Sequence, residues 1–108
     1  MKEITKLALD RHAMNGTPSG EFIEAVLCND LKESFKRADE QNQADLFEIV
    51  KYCYNELPAM CWGSPEKVRA WQNIGGYEGF SKHDPPLYYD SQTKRLEVIQ
   101  DGDTAKST

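Results

Sequence analysis

Along the first three quarters of the chain, apolar residues recur at spacings of three and four, the repeat of a helix with one buried face. In residues 2–14, Ile4, Leu7, Ala8 and Arg11 share one stripe. That stripe is thin in hydrophobic content and predicts a helix at the edge of the core. Asn15-Gly16 should end it, because glycine takes the left-handed conformation at little cost. Thr17-Pro18 then offers a cap followed by a proline. A second helix is predicted over 18–37, with Phe22, Ile23, Val26, Leu27, Leu31 and Phe35 on a strong amphipathic stripe. Asn29-Asp30 could break it, since Asp30 with Glu33 makes a fresh cap. A single helix, bent at that point, is the preferred reading.

Asp39-Glu40-Gln41-Asn42 reads as a polar hinge. It leads to a third helix over 42–57, with Leu46, Phe47, Ile49, Val50, Cys53, Tyr54 and Leu57 facing inward and Pro58 just past its end. A fourth helix is predicted over 65–74. Its start can be read residue by residue: Ser64 suits the N-cap, Pro65 the first turn, where its missing N–H costs nothing, and Glu66 the positive end of the dipole. Val68 and Trp71 lie three apart and can be buried together. Gly75-Gly76 closes this helix, and the glycine-, proline- and aromatic-rich stretch 76–86 reads as a loop.

From Leu87 the period switches to two. Leu87-Tyr88-Tyr89-Asp90 and Arg95-Leu96-Glu97-Val98-Ile99, separated by Ser91-Gln92-Thr93-Lys94, predict a β-hairpin over 87–99. A lone hairpin is marginal unless it packs on the helices. Residues 101–108 have little to bury and are expected to form a mobile tail. The prediction is a mainly α protein: one domain over 1–100, built as a three- to four-helix bundle with a C-terminal hairpin.

The 108 residues provide one core, large enough to fold without disulfide staples. No apolar run approaches the roughly 20 residues of a membrane span, and the amino terminus lacks a signal-peptide pattern. Cys28, Cys53 and Cys61 are odd in number and contain no C-x-x-C pair, so reduced and mostly buried thiols are expected. These features point to the cytoplasm. The net charge of −5 argues against a general binder of nucleic acid or anionic membrane.

Candidate chemistry is sparse. His12 and His83 have no Cys or second His at metal-ligand spacing, so no metal or cofactor is expected. A thiol–imidazole pair from Cys53 or Cys61 with a distant His is conceivable, yet Cys53 falls on a predicted buried face. Gly75, Gly76 and Gly79 lack the context of a phosphate loop. No catalytic constellation stands out, and an enzyme is not expected. Asp30, Glu33, Asp39, Glu40, Asp45, Glu48 and Glu56 could make an acidic, nucleic-acid-like surface, but Lys32, Lys36, Arg37 and Lys51 interleave with them and cancel the field. Pro85-Pro86-Leu87-Tyr88 fits a PPxY ligand; the prolines are better explained as a stop before the hairpin.

The aromatics weigh more. Trp62, Trp71, Tyr77 and Phe80, with Tyr88 and Tyr89, exceed what a bundle with a thin first helix can easily cover. Any left outside would anchor a partner well. Trp62, Trp71, Tyr77 and Phe80, with Glu66 and Arg69 as polar neighbours, form the candidate interaction surface.

Five segments together resemble a known group. They are Gly16-Thr17-Pro18-Ser19-Gly20-Glu21-Phe22, Ala25-Val26-Leu27-Cys28-Asn29-Asp30-Leu31, Arg37-Ala38-Asp39, Tyr54-Asn55-Glu56-Leu57-Pro58 and Trp62-Gly63-Ser64-Pro65-Glu66. The set is similar to short phage- and prophage-encoded proteins of unassigned activity, over about residues 16–71. The resemblance implies expression in a bacterial host and an accessory role, and it carries no catalytic residues. The favoured expectation is an interaction protein whose partner is a host or phage protein, with inhibition or regulation of a host system as its effect. The alternatives are a nucleic-acid-directed protein, using Lys32-Lys36-Arg37 or the carboxylates, and a small-molecule-binding oligomer with a pocket between aromatic faces.

Overall fold

The computed structural model describes residues 1–99, so the predicted tail over 101–108 lies outside the described residues. The described chain is mainly helical, with a two-stranded antiparallel sheet near its C-terminal end. In order come α1 (Glu3–Asn15), α2 (Glu21–Leu27), α3 (Leu31–Arg37), α4 (Glu40–Glu56), a single 3-10 turn (Ala59–Cys61), α5 (Pro65–Ile74), α6 (Gly76–Lys82), β1 (Leu87–Asp90) and β2 (Arg95–Val98).

The predicted start at Ser64-Pro65 is present: Ser64 Oγ accepts the Lys67 N–H at 3.2 Å, with Pro65 in the first turn. The matching start at Thr17-Pro18 is not, because α2 begins at Glu21 behind Gly20. The predicted helix over 18–37 is two helices. Asn29 takes a left-handed φ of 62°, and Asp30 caps α3 by accepting the Glu33 N–H at 3.1 Å. A side-chain cap therefore stabilises a break where the apolar stripe alone runs on. Asp39 caps α4 in the same way through the Asn42 N–H at 2.7 Å, so that helix starts at Glu40 rather than after a hinge.

The stretch expected as a loop after Gly75 holds α6 instead. Gly75 and Gly76 both have positive φ, which ends α5 and turns the chain into the next helix. The turn is placed by contact with α1. A Cβ on Gly76 would collide with the Asn15 and Gly16 backbones, and one on Gly16 would fall 2.9 Å from the Trp71 carbonyl. Two glycines thus let α1 and α6 meet backbone to backbone.

One apolar cluster joins the helices. Leu9, Leu27, Ile49, Cys53, Cys61, Val68 and Trp71 are fully buried within it, and Trp71 Nε1 donates to the Ala13 carbonyl at 2.9 Å. The buried face of α1 differs from the predicted stripe. Thr5, Leu9, His12 and Ala13 point inward, while Ile4 and Leu7 are exposed. A histidine and a threonine on the inner face disguised it. His12 is accommodated because its Nε2 donates to the Cys61 carbonyl at 2.8 Å. Ile49 and Cys53 on α4 and Leu57 at its C-cap are buried as expected; Phe47, Val50 and Tyr54 are not.

The hairpin forms over the predicted residues, with Leu87 opposite Val98 and Tyr89 opposite Leu96. Asp90 sets the turn by accepting the Gln92 N–H at 2.8 Å, and Lys94 takes the left-handed position. No helix among the described residues is long and apolar enough to cross a membrane.

Candidate interaction surface

The residues displaced from the predicted core define a site. Leu31 and Phe35 lie one turn apart on α3 and are 71% and 58% exposed. Across a two-residue connection, α4 presents Phe47 at 83% and Tyr54 at 79%, with Val50 between them. Gln43 holds the two helices near their junction by reaching the Phe35 and Ala38 carbonyls, each at 3.4 Å. Leu31, Ser34, Leu46 and Val50 line a shallow depression of about 150 Å³ between the helices. The arrangement is an open apolar groove, walled by α3 on one side and α4 on the other.

Trp62 closes one end of this groove. The chain stops at Pro58, makes the single turn Ala59–Cys61, and is pinned where the Gly63 N–H donates to the Leu27 carbonyl at 2.7 Å. That connection leaves the Trp62 ring half-buried against the α3–α4 depression. Trp62 also borders a second depression of about 570 Å³ with Tyr54, Leu57 and Lys67. The two hollows share Trp62 and Asn29, which link Leu31 in one to Tyr54 in the other.

The other predicted surface residues do not gather around Trp62. Trp71 is fully buried and belongs to the core, which corrects its place among the interface candidates. Its ring lies 5.6 Å from that of Phe80, which in turn lies 6.3 Å from Tyr77. Phe80 is half-buried there; Tyr77 is exposed and borders a hollow with Met14 and Pro58 on the α1 side. Glu66 faces the hairpin, and Arg69 is exposed on α5.

Charge around the groove is uneven. Arg37 pairs with Glu21 and with Glu33, the latter at 3.0 Å, and Lys2 with Asp39 at 2.8 Å. Asp45 and Glu48 face the Met1 amine at 3.6 and 2.6 Å. Among the described residues, Lys32 and Lys36 beside the α3 wall and Lys51 beside the α4 wall have no ion-pair partner. Glu40 and Glu56 sit at the two ends of α4. A chain of net charge −5 therefore carries unpaired lysines on both helices of the groove, Lys51 bordering a hollow with Met1, Glu48 and Glu56, while most nearby carboxylates are engaged. The same pairing withdraws Arg37 from the predicted Lys32-Lys36-Arg37 patch.

The cysteines and histidines form no reactive set. Burial pushes the Cys53 and Cys61 thiols up to about 12, which keeps them protonated and poorly nucleophilic, and burial also raises Cys28. His12 is held below its ordinary value by burial, against the opposing influence of its bond to the Cys61 carbonyl. No metal-binding group of three or more His, Cys, Asp or Glu occurs among the described residues.

Sequence reasoning missed the groove because it placed Leu31, Phe35, Phe47, Val50 and Tyr54 in the core. The available signal was a surplus: α3 and α4 carry apolar residues over an arc too wide for one buried face. Comparison with family models, with curated proteins and with solved structures gives no match.

Proposed function

We propose that the protein acts by binding a second protein, which lays an amphipathic helix with acidic flanks into the α3–α4 groove. The observation that carries this reading is that Leu31 and Phe35 on α3 and Phe47 and Tyr54 on α4 are each more than half exposed, on two helices that wall one depression. Phe47, Val50 and Tyr54 follow the 3–4 spacing with which one helix packs along another. With aromatic side chains contributing roughly 150–250 Å² each, the face offers roughly 600 Å² of apolar surface. A monomer's largest apolar patch is commonly about 300–600 Å². Engaged on both sides, such a face reaches about 1,200 Å², the lower bound of stable interfaces. Lys32, Lys36 and Lys51 supply the complement to acidic flanks. The phage resemblance supports a partner in the cytoplasm of the bacterial host, with inhibition or regulation as the outcome of binding.

The test is capture from bacterial lysate with wild-type protein and with a Phe47→Ser/Tyr54→Ser variant, followed by amide-exchange mapping with the purified captured protein. Both side chains are largely exposed, so the variant should melt as the wild type does. A stoichiometric protein partner, lost with the variant and protecting Leu31–Phe35 and Phe47–Tyr54, is expected. Retention by the variant, a footprint elsewhere, or capture of nucleic acid alone would overturn the reading. So would a complex made only of copies of this chain.

A further inference from the structure

The hairpin does more than close the chain. Its inner face carries Leu87, Tyr89 and Leu96, aligned by the pairing of Tyr89 with Leu96, and it lies over the exposed side of α5 without filling the space between them. A cavity of about 360 Å³ remains. Its apolar lining comes from Met60, Ala70 and Ile74 on the helical side and from Leu87 and Leu96 on the strands. A volume near 300–1,000 Å³, mostly apolar with a few polar groups at one edge, is the usual form of a small-molecule site.

The polar edge is cationic. Lys67 and Lys94 line the cavity together with Asn73, His83 and one carboxylate, Glu66. Lys67 Nζ donates to the Ala59 carbonyl at 3.2 Å and stands 5.4 Å from the centre of the Tyr89 ring, which fixes a positive charge at the rim. Arg95 alternates with Leu96 on β2, so its side chain lies on the outer face with Glu97, 3.8 Å away, and is mostly in solvent. Lys94, left-handed in the turn, has no ion-pair partner among the described residues and lines the cavity. Two lysines facing one carboxylate over an apolar floor would favour a ligand with the opposite layout.

We infer that this cavity binds a small amphipathic monoanion, an apolar chain or ring bearing one carboxylate, with the apolar body against Ile74, Leu87 and Leu96 and the anionic head beside Lys94 and Lys67. The site is separate from the α3–α4 groove: only Lys67 borders hollows on both sides, and it is left unaltered in the test.

The probe is decanoate, titrated against the full chain and followed by amide and methyl NMR shifts, with decanol and decyltrimethylammonium as chain-matched neutral and cationic controls. Saturable decanoate binding with shifts at Ile74, Leu87, Tyr89 and Leu96 is expected, with decanol weaker and the cation weakest. Lys94→Ala removes one exposed charge and should weaken decanoate by roughly fivefold while leaving decanol unchanged, and Arg95→Ala on the outer face should change neither. Ala70→Phe, which fills the floor, should abolish both. Absence of saturable binding would overturn the inference, as would equal affinity for decanoate and decanol, or shifts centred on Phe47 and Tyr54. Phe47→Ser/Tyr54→Ser is expected to bind decanoate as the wild type does, so failure of the interaction reading and failure of this one remain distinguishable.

Discussion

At the scale of single residues, His12 shows how a polar side chain can be part of a core. Its ring is fully buried, Nε2 donates to the Cys61 carbonyl, and Nδ1 has no partner among the described residues. A proton on Nδ1 would create a buried, unpaired donor and an unsolvated charge. Burial therefore holds its pKa below the ordinary 6.5, and the unfolded chain takes up a proton first as the pH falls. The neutral ring contributes its full stability above about pH 6.5, and that contribution is lost as the pH drops from there toward the folded-state value. His12→Gln keeps a donor for the Cys61 carbonyl and cannot titrate in this range. Urea midpoints of the wild type should fall relative to those of His12→Gln between neutral and mildly acidic pH; parallel curves would rule out the ring as the source. Trp71 makes a simpler case. Trp71→Phe strands the Ala13 carbonyl and should cost about 1–3 kcal/mol in equilibrium unfolding. Burial of Trp71 was legible from its place beside Val68 on α5. Burial of His12 was not, because the feature that permits it is a carbonyl 49 positions away.

At the scale of elements, the features legible in sequence were those set by neighbouring residues. The Ser64-Pro65 start, the stop at Pro58 and the two strands of the hairpin depend on caps, a missing N–H and alternation, all local. The break at Asn29 was visible as an option, and the Asp30 cap takes it; Asp30→Ala should cost about 1 kcal/mol by freeing the Glu33 N–H. The α6 helix was hidden because Gly76-Tyr77-Glu78-Gly79 has the composition of a loop, and its order comes from docking on α1. Tertiary contact there overrides propensity. That account makes a specific demand on Gly76. Gly76→Ala must combine an unfavourable positive φ of 71° with a collision against the α1 backbone, and should cost at least about 2 kcal/mol in thermal or urea unfolding. Gly20→Ala is the control, since φ there is negative and its Cβ meets nothing within 4 Å; it should cost less than about 1 kcal/mol. Equal effects at the two positions would mean that the α1–α6 crossing does not set the position of α6.

At the scale of the whole molecule, apolar surface is distributed in a way that a core alone does not explain. The first helix fills part of the interior with Leu9, His12 and Ala13, and α5 and the 3-10 turn complete it with Val68, Trp71 and Cys61, so α3 and α4 are left with an apolar surplus. The surplus faces outward as one groove, and the charges beside it are not the average of the chain. This has a consequence for salt that separates two occupants of the groove. Two copies of this protein meeting through α3 and α4 would bring Lys32, Lys36 and Lys51 of each toward those of the other, so screening should relieve repulsion and strengthen self-association. A partner with acidic flanks gains from the same lysines and should weaken as salt rises, mainly through a slower on-rate. Sedimentation of the isolated protein should accordingly show weak association that increases with added sodium chloride and vanishes in Phe47→Ser/Tyr54→Ser. The purified captured complex should lose affinity over the same range. Replacing Lys32, Lys36 and Lys51 by Gln should flatten both trends without moving the melting temperature, because all three are exposed and none is engaged in an ion pair among the described residues. If the two salt trends instead share a sign, the lysines do not select the occupant, and the apolar residues alone must carry recognition.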